Sequence, residues 1–212
     1  MHDAGPFSVW GAEWDVFVFE DPDFTRNLHV AFYASSRELV DEFWSVGTSA
    51  GYTSDGEPGL RPQYSDTYYG AFLLDPDGNS VEAVNFVDSA ERGTIDHMWL
   101  RVADVGAATA FYEAIAPFGG YKINRHGPDR TQFQWPNGSF SVVAGDDRTH
   151  NVHIAFPASD NAVVDEFHRT ALAAGYRDHG PPGERWYHPG YYGAFVLDPD
   201  GNNIEVVNHN RS

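Results

Sequence analysis

The sequence predicts an α+β protein in which paired βαβββ modules form a curved, cup-like mixed sheet with the helices outside. Two observations carry this prediction. Residues 27–32 (NLHVAF) recur as residues 151–156 (NVHIAF), and the YYGAF of residues 68–72 recurs at residues 191–195. Around both repeats, strand-like and helix-like hydrophobic spacings follow one another in the same order. We therefore interpret most of the chain as the product of an internal duplication.

The second copy defines the elements of a module. Residues 151–156 alternate as a strand does, and residues 159–160 (SD) offer the cap of a helix that continues at helical spacing until Gly175 ends it. Residues 191–197 and 203–208 then read as a hairpin. Its Asp-Pro-Asp-Gly connection suits a turn, because Pro favours the second position and Gly accepts the left-handed one.

A looser module lies between the two copies. Residues 96–102 are predicted to form its first strand, and Asp104 can cap the helix that follows. Residues 121–123, 131–135 and 140–143 are predicted to be its three further strands. The middle of the chain therefore has the same element order as the copies on either side of it.

The modules are predicted to group into two domains. One module cannot bury both faces of its sheet, so the two modules of residues 94–212 are expected to pair into a complete domain. Residues 1–90 hold one module preceded by two strands, at 7–10 and 15–19, and make an incomplete domain. The missing strand and helix predict an exposed apolar surface. Either a second chain covers it in a homodimer, or the sequence is a fragment of a longer, four-module protein.

Composition limits the function. The formal net charge of −18 argues against nucleic acid as a partner, because that binding depends on Lys and Arg neutralising phosphates. The chain has no cysteine, so a metal site must use His, Asp, Glu, Tyr or backbone oxygens. We see neither a membrane-spanning apolar run nor a signal peptide, so a cytoplasmic location without membrane contact is expected.

Three potential metal ligands share one face of the predicted cup. Successive residues of a strand point to opposite faces, and the apolar residues of each strand are expected to face the helices. His97, His153 and Glu205 are thereby left on the concave face. Two imidazoles and one carboxylate with open positions suit one divalent ion, Fe, Mn or Zn, and leave room for substrate oxygens. The structural alternative is a solvated polar sheet face.

These segments resemble the signature of the vicinal oxygen chelate superfamily. The resemblance rests on residues 95–102 (IDHMWLRV), 152–156 (VHIAF) and 197–205 (LDPDGNNIE), and it covers nearly all of residues 94–212. The superfamily includes glyoxalase I, extradiol dioxygenases, fosfomycin-inactivating thiol transferases and bleomycin-binding proteins.

The resemblance has two implications for function. It matches His97, His153 and Glu205 to the ligand positions of the superfamily, which implies a divalent-metal-dependent enzyme acting on a small oxygen-bearing substrate. Dioxygenase, lyase or isomerase, and transferase chemistry stay open. The alternative is a non-catalytic protein that binds a drug or another small molecule in the same cup.

The sequence departs from the superfamily pattern at two positions. Ser141 stands where glyoxalase I has a fourth ligand, and Phe195 stands where several dioxygenases and fosfomycin enzymes have a tyrosine. Tyr191, Tyr192 and His188 are the candidates to take that catalytic role.

Further residues are candidates for substrate binding. Trp99 and Arg101 share the predicted ligand face, and Arg101 suits an anionic substrate, although solvation at a strand end also accounts for it. Phe195 lies in the final hairpin. His179 and Arg185 lie in the long segment before it, which either forms a lid or is held by aromatic packing alone.

The N-terminal copy carries half of the predicted ligand set. His29 and Glu82 repeat His153 and Glu205. Because no first strand of a preceding module is present, no equivalent of His97 is expected for them. The sequence therefore predicts a weak two-ligand remnant there and one metal ion per chain.

Overall fold

The computed structural model describes residues 2–3, 7–10, 16–19, 23–86 and 95–210. The chain divides into two compact units. The first comprises Met1–Trp99 and Asn137–Ser139, and the second comprises Leu100–Pro136 and Phe140–Ser212. The predicted division into residues 1–90 and 94–212 stays a prediction.

The first unit contains the N-terminal strands and the first complete module. Its elements are β1 (His2–Asp3), β2 (Phe7–Trp10), β3 (Val16–Phe19), β4 (Leu28–Tyr33), α1 (Arg37–Ser49), β5 (Ser54–Leu60), β6 (Tyr69–Leu74) and β7 (Ser80–Asn85). Strands β1, β2 and β3 pair in that order, each antiparallel to the next. The two strands predicted before the first module are therefore present, and Asp15 of the prediction lies outside the described residues.

The chain passes from the first unit to the second within β8 (Ile95–Val102). The elements that follow are α2 (Val105–Gly119), β9 (Lys122–His126), β10 (Arg130–Trp135), β11 (Gly138–Ala144), β12 (His153–Pro157), α3 (Asn161–Ala173), β13 (Arg177–Glu184), β14 (Tyr192–Leu197) and β15 (Asn203–Asn208). Within the described residues this order gives three βαβββ modules, as the sequence predicts.

The first and third modules have the same topology. In the first unit the strands lie in the order β5-β6-β7-β4-β8, with β4 parallel to β7 and the β5-β6 and β6-β7 pairs antiparallel. In the second unit the order β12-β15-β14-β13 repeats this pattern, with β12 parallel to β15. The prediction of an α+β fold with a mixed sheet is confirmed.

Local chemistry explains where the helices begin and end. The Asp160 carboxylate accepts a hydrogen bond from the backbone amide of Val163, and the Asp104 carboxylate accepts one from that of Ala107, so both are N-caps. The predicted stop after α3 is also present, because Gly175 adopts a φ of +88°, which favours glycine.

Burial follows the predicted parity on β12 and in the second half of β8. On β12 Ile154 and Phe156 are buried whereas His153 is exposed, and on β8 Leu100 and Val102 are buried. These apolar faces belong to the core. On β15 the predicted alternation is not seen, because Ile204 to Asn208 are all buried and Glu205 with them. Among the described residues, no helix combines the length and the apolar character that crossing a membrane requires.

Candidate metal centre

His29, Glu82 and His97 lie together on the first unit's main sheet. His29 is on β4 and Glu82 on β7, and the parallel register pairs His29 with Ser80 and Ala31 with Glu82. His29 and Glu82 therefore point to the same face of the sheet. Strand β8, which carries His97, is the other neighbour of β4.

The ligand atoms of these three side chains converge. Nε2 of His29 lies 3.1 Å from Oε2 of Glu82 and 3.2 Å from Nε2 of His97, and the distance from His97 Nε2 to the same oxygen is 3.5 Å. The three side chains are only 8%, 1% and 12% exposed. Among the described residues they are the group of three metal-ligating side chains whose atoms all lie within 4.8 Å of one another.

The outer nitrogen of each imidazole has an acceptor beside it. Nδ1 of His97 lies 2.9 Å from the Asp96 carboxylate, and Nδ1 of His29 lies 3.2 Å from the Ser80 hydroxyl. A carboxylate only accepts hydrogen bonds, so Nδ1 of His97 carries the proton. The same assignment for His29 leaves both Nε2 atoms with lone pairs that point at each other and at Glu82. A cation between them would satisfy all three groups, and the outer hydrogen bonds would orient the two imidazoles toward it.

Glu82 is a buried carboxylate whose partners carry no permanent charge. Oε1 accepts a 2.6 Å hydrogen bond from the Tyr68 hydroxyl, and Oε2 faces the two histidines. Burial, and then the negative charge of Glu82, raise the pKa of Tyr68 well above its ordinary value, so the phenol keeps its proton. A buried anion needs compensation, and a divalent ion held with the two imidazoles would provide it.

Aromatic rings surround the centre on two sides. The Trp99 ring lies 5.3 Å from that of His29 and 6.0 Å from that of His97, measured between centroids, and Tyr64 packs on both Tyr68 and Trp99. The Phe72 ring, on β6, lies 6.0 Å from that of His29. Rings of this kind exclude water from the ligands and offer an apolar wall to a small molecule.

Comparison with known proteins identifies the superfamily. The sequence profile of the Glyoxalase/Bleomycin resistance protein/Dioxygenase superfamily matches residues 94–206, just over half of the chain. The chain belongs to this superfamily. The resemblance to vicinal oxygen chelate proteins is thereby confirmed.

Two relatives illustrate the similarity. The chain is 33% identical over 128 residues to the uncharacterised protein PA2024 of Pseudomonas aeruginosa, a match covering 53% of this chain and 86% of that protein. Its fold is similar to the crystal structure of glyoxalase I from Zea mays, with a TM-score of 0.63 and 21% identity over 88% of this chain and 69% of the other. At that identity the second comparison supports the fold alone.

The third module of this superfamily member repeats the ligand pair in the second unit. Nε2 of His153 lies 2.9 Å from Oε2 of Glu205, whose Oε1 accepts a 2.6 Å hydrogen bond from Tyr191. The His153 side chain is 35% exposed. Within the described residues, no third metal-ligating side chain joins this pair. The predicted ligand set His97, His153 and Glu205 spans the two units and stays a prediction.

The remaining predicted site residues of the second unit have various partners. Tyr192 donates to Asp165 on α3, and His188 pairs with His209 at 2.9 Å. The Arg185 guanidinium lies over the Phe195 ring and donates to the backbone oxygens of residues 181 and 184, as Arg61 does at the matching place in the first unit. The same contacts occur in both copies, and the substrate-binding role predicted for Arg185 stays a prediction.

Three predicted residues differ in their settings. His179 is exposed on β13, whereas Trp99 belongs to the rings around the candidate metal centre. The aliphatic part of Arg101 packs beside Gly145, 3.1–3.3 Å from the position that a Cβ on this glycine would take. Of the predicted substrate-binding residues, Trp99 is thus the one that lies beside His29 and His97.

One expectation from the sequence is corrected. A third side chain able to bind metal does lie beside His29 and Glu82, because β8 runs next to β4 and brings His97 to them. A preceding module is therefore not required to supply this third side chain. Sequence reasoning also missed Tyr68 and Ser80 as neighbours of the ligands. The repeat gave a signal for Tyr68, since it matches Tyr191, which the sequence singles out.

We predict that Tyr68→Phe weakens both the fold and the metal centre. A hydrogen bond to a charged group stabilises a protein by about 1.5–3 kcal/mol, and the free energy of unfolding should fall by that order. Metal affinity should fall as well, because Glu82 loses the contact that orients it. Denaturant unfolding and metal titration measure the two effects. The matched variant Tyr191→Phe should destabilise the protein and leave metal affinity unchanged; equal metal affinity in both variants would contradict the assignment.

Proposed function

We propose that the protein is a divalent-metal-dependent enzyme that acts on a small oxygen-bearing substrate at His29, Glu82 and His97. The observation that supports this most strongly is the convergence of two imidazole nitrogens and one carboxylate oxygen within 3.1–3.5 Å of one another. Two histidines and one carboxylate are a donor set that suits Fe, Mn or Zn and leaves coordination positions for other oxygens. The superfamily includes many enzymes, which agrees with this reading.

The side chains of the centre have different roles in this proposal. His29, His97 and Glu82 would hold the ion, which when bound supplies Lewis-acid stabilisation of negative charge on substrate oxygens. Asp96 fixes the ring of His97, and Tyr68 fixes the carboxylate of Glu82. Trp99 shields the histidines from water and offers a flat apolar surface to the substrate. The predicted cytoplasmic location and homodimer stay predictions.

We expect the protein to bind one equivalent of divalent metal. Elemental analysis after purification without chelator, followed by titration of the stripped protein with Zn²⁺, Mn²⁺ and Fe²⁺, measures the stoichiometry. Two tight sites would assign a full site to the second unit as well. Complete absence of binding would remove the basis of the proposed activity.

Activity assays on the loaded protein then separate the reaction classes. Oxygen consumption with catechols tests dioxygenase chemistry, and loss of the hemithioacetal of an α-ketoaldehyde tests glyoxalase chemistry. Each rate should disappear with EDTA and return with the metal. A protein that binds both the metal and a small molecule but turns over neither class of substrate would favour the binding-protein alternative.

A further inference from the structure

A chain of hydrogen bonds leads from His29 to the surface of the first unit. Nδ1 of His29 lies 3.2 Å from Oγ of Ser80, and that hydroxyl donates a 2.7 Å hydrogen bond to Oδ2 of Asp55. His29 is on β4, Ser80 on β7 and Asp55 on β5, so three strands contribute to it. Ser80 stands opposite His29 in the parallel register.

Asp55 determines the direction of each hydrogen bond between it and His29. The carboxylate of Asp55 accepts, so the single Ser80 hydroxyl proton points to Asp55. Oγ of Ser80 therefore presents a lone pair to His29, and Nδ1 of His29 must donate to it. The tautomer with a free Nε2 lone pair follows, and Nε2 is the atom that faces Glu82 and His97.

The second unit provides a comparison. The hydrogen bonds from His29 through Ser80 to Asp55, called the relay below, have no equivalent among its described residues. In the repeat, Asn203 replaces Ser80 and His179 replaces Asp55. Oδ1 of Asn203 is buried without a hydrogen-bond partner, and His153 has no described partner at Nδ1. His153 is also far more exposed than His29, at 35% against 8% of the side chain. The relay is therefore present behind the candidate metal centre of the first unit and absent behind the His153–Glu205 pair of the second.

We propose that Ser80 and Asp55 are positioning residues of the metal centre, which hold the His29 ring in the tautomer and orientation that metal binding requires. This inference rests on the proposed function, since it assigns a role to residues behind one of the ligands. Neither residue is expected to touch the metal or the substrate. Their effect is on the affinity of the metal through His29.

The experiment compares Ser80→Ala, Asp55→Asn and Ser80→Thr with the wild-type protein, using Zn²⁺ in competition with a calibrated chelator. We expect Ser80→Ala to weaken Zn²⁺ binding about 10- to 100-fold, the usual effect of losing an outer-shell partner. Asp55→Asn should weaken it less, because Asp55 acts through Ser80. Ser80→Thr should restore the affinity, because it keeps the hydroxyl. Asn203→Ala, the matched change in the second unit, should leave the affinity unchanged.

A second readout separates positioning from general destabilisation. The ¹⁵N chemical shifts of His29 in the metal-free protein report which ring nitrogen carries the proton, and in the wild type this should be Nδ1. In Ser80→Ala the Nδ1 signal should change while thermal unfolding shows a folded protein.

The outcomes distinguish this inference from the proposed function. Wild-type Zn²⁺ affinity in both Ser80→Ala and Asp55→Asn would overturn the positioning role and leave the metal centre intact. Failure of Ser80→Thr to restore the affinity lost in Ser80→Ala would also overturn it. A wild-type protein that binds none of Zn²⁺, Mn²⁺ and Fe²⁺ would overturn the proposed function and this inference together.

Discussion

His29→Ala is expected to abolish stoichiometric metal binding. Nε2 of His29 is the atom closest to both of the other ligand atoms, at 3.1 Å from Glu82 and 3.2 Å from His97. Its removal leaves one imidazole and one carboxylate, so the loss should exceed the roughly 10- to 100-fold effect of an outer-shell change. Titration of the stripped variant with Zn²⁺ and Mn²⁺ measures it.

His153→Ala is the matched control, because it removes the same residue from the other copy of the module. It should leave the metal stoichiometry and affinity unchanged. The pair of variants also separates two ligand sets that share His97. If His97, His153 and Glu205 held the ion, as the sequence alone predicts, His153→Ala would abolish binding and His29→Ala would not. Thermal unfolding of both variants checks that each is folded.

Gly70→Ala is expected to give the second-largest loss of metal affinity. A Cβ at Gly70 would lie 2.5 Å from Oε1 of Glu82 and 3.2 Å from the Tyr68 ring. Because Glu82 is fully enclosed, its carboxylate must shift away from the histidines, or the strand must move. We expect an affinity loss of the order of 10- to 100-fold. Overpacking of this kind costs about 1–3 kcal/mol of the free energy of unfolding.

The duplication again provides the control. A Cβ at Gly193 would meet Glu205 in the same way, so Gly193→Ala should destabilise the protein similarly. It should not change metal affinity, because Glu205 belongs to the pair in the second unit. Calorimetric titration and denaturant unfolding of both variants test this. Metal affinity that falls in Gly193→Ala and stays unchanged in Gly70→Ala would move the site to the second unit.

The amino-acid sequence determined the modules, their elements and the face that each ligand occupies. The repeat predicted the element order, Asp104 and the pair at residues 159–160 predicted helix starts, and strand parity placed His97 and His153 on faces away from the core. These features depend on local chemistry and on periodicities of two or 3.6 residues, both of which are readable along the chain. The superfamily could be predicted from the sequence for the same reason.

The tertiary structure decided which of the repeated ligand pairs receives a third ligand within one unit. Parity assigns a side chain to a face but does not say which strand lies beside which, and His29–Glu82 and His153–Glu205 are equivalent in sequence pattern. The position of β8 next to β4 gives His97 to the first pair. The relay through Ser80 to Asp55 could not be predicted from the sequence for a similar reason. Strand pairing brings together Ser80 and Asp55, which are 25 positions apart, and His29 and Ser80, which are 51 positions apart. Contacts across strands depend on tertiary pairing, and a single sequence does not encode that pairing in any local period.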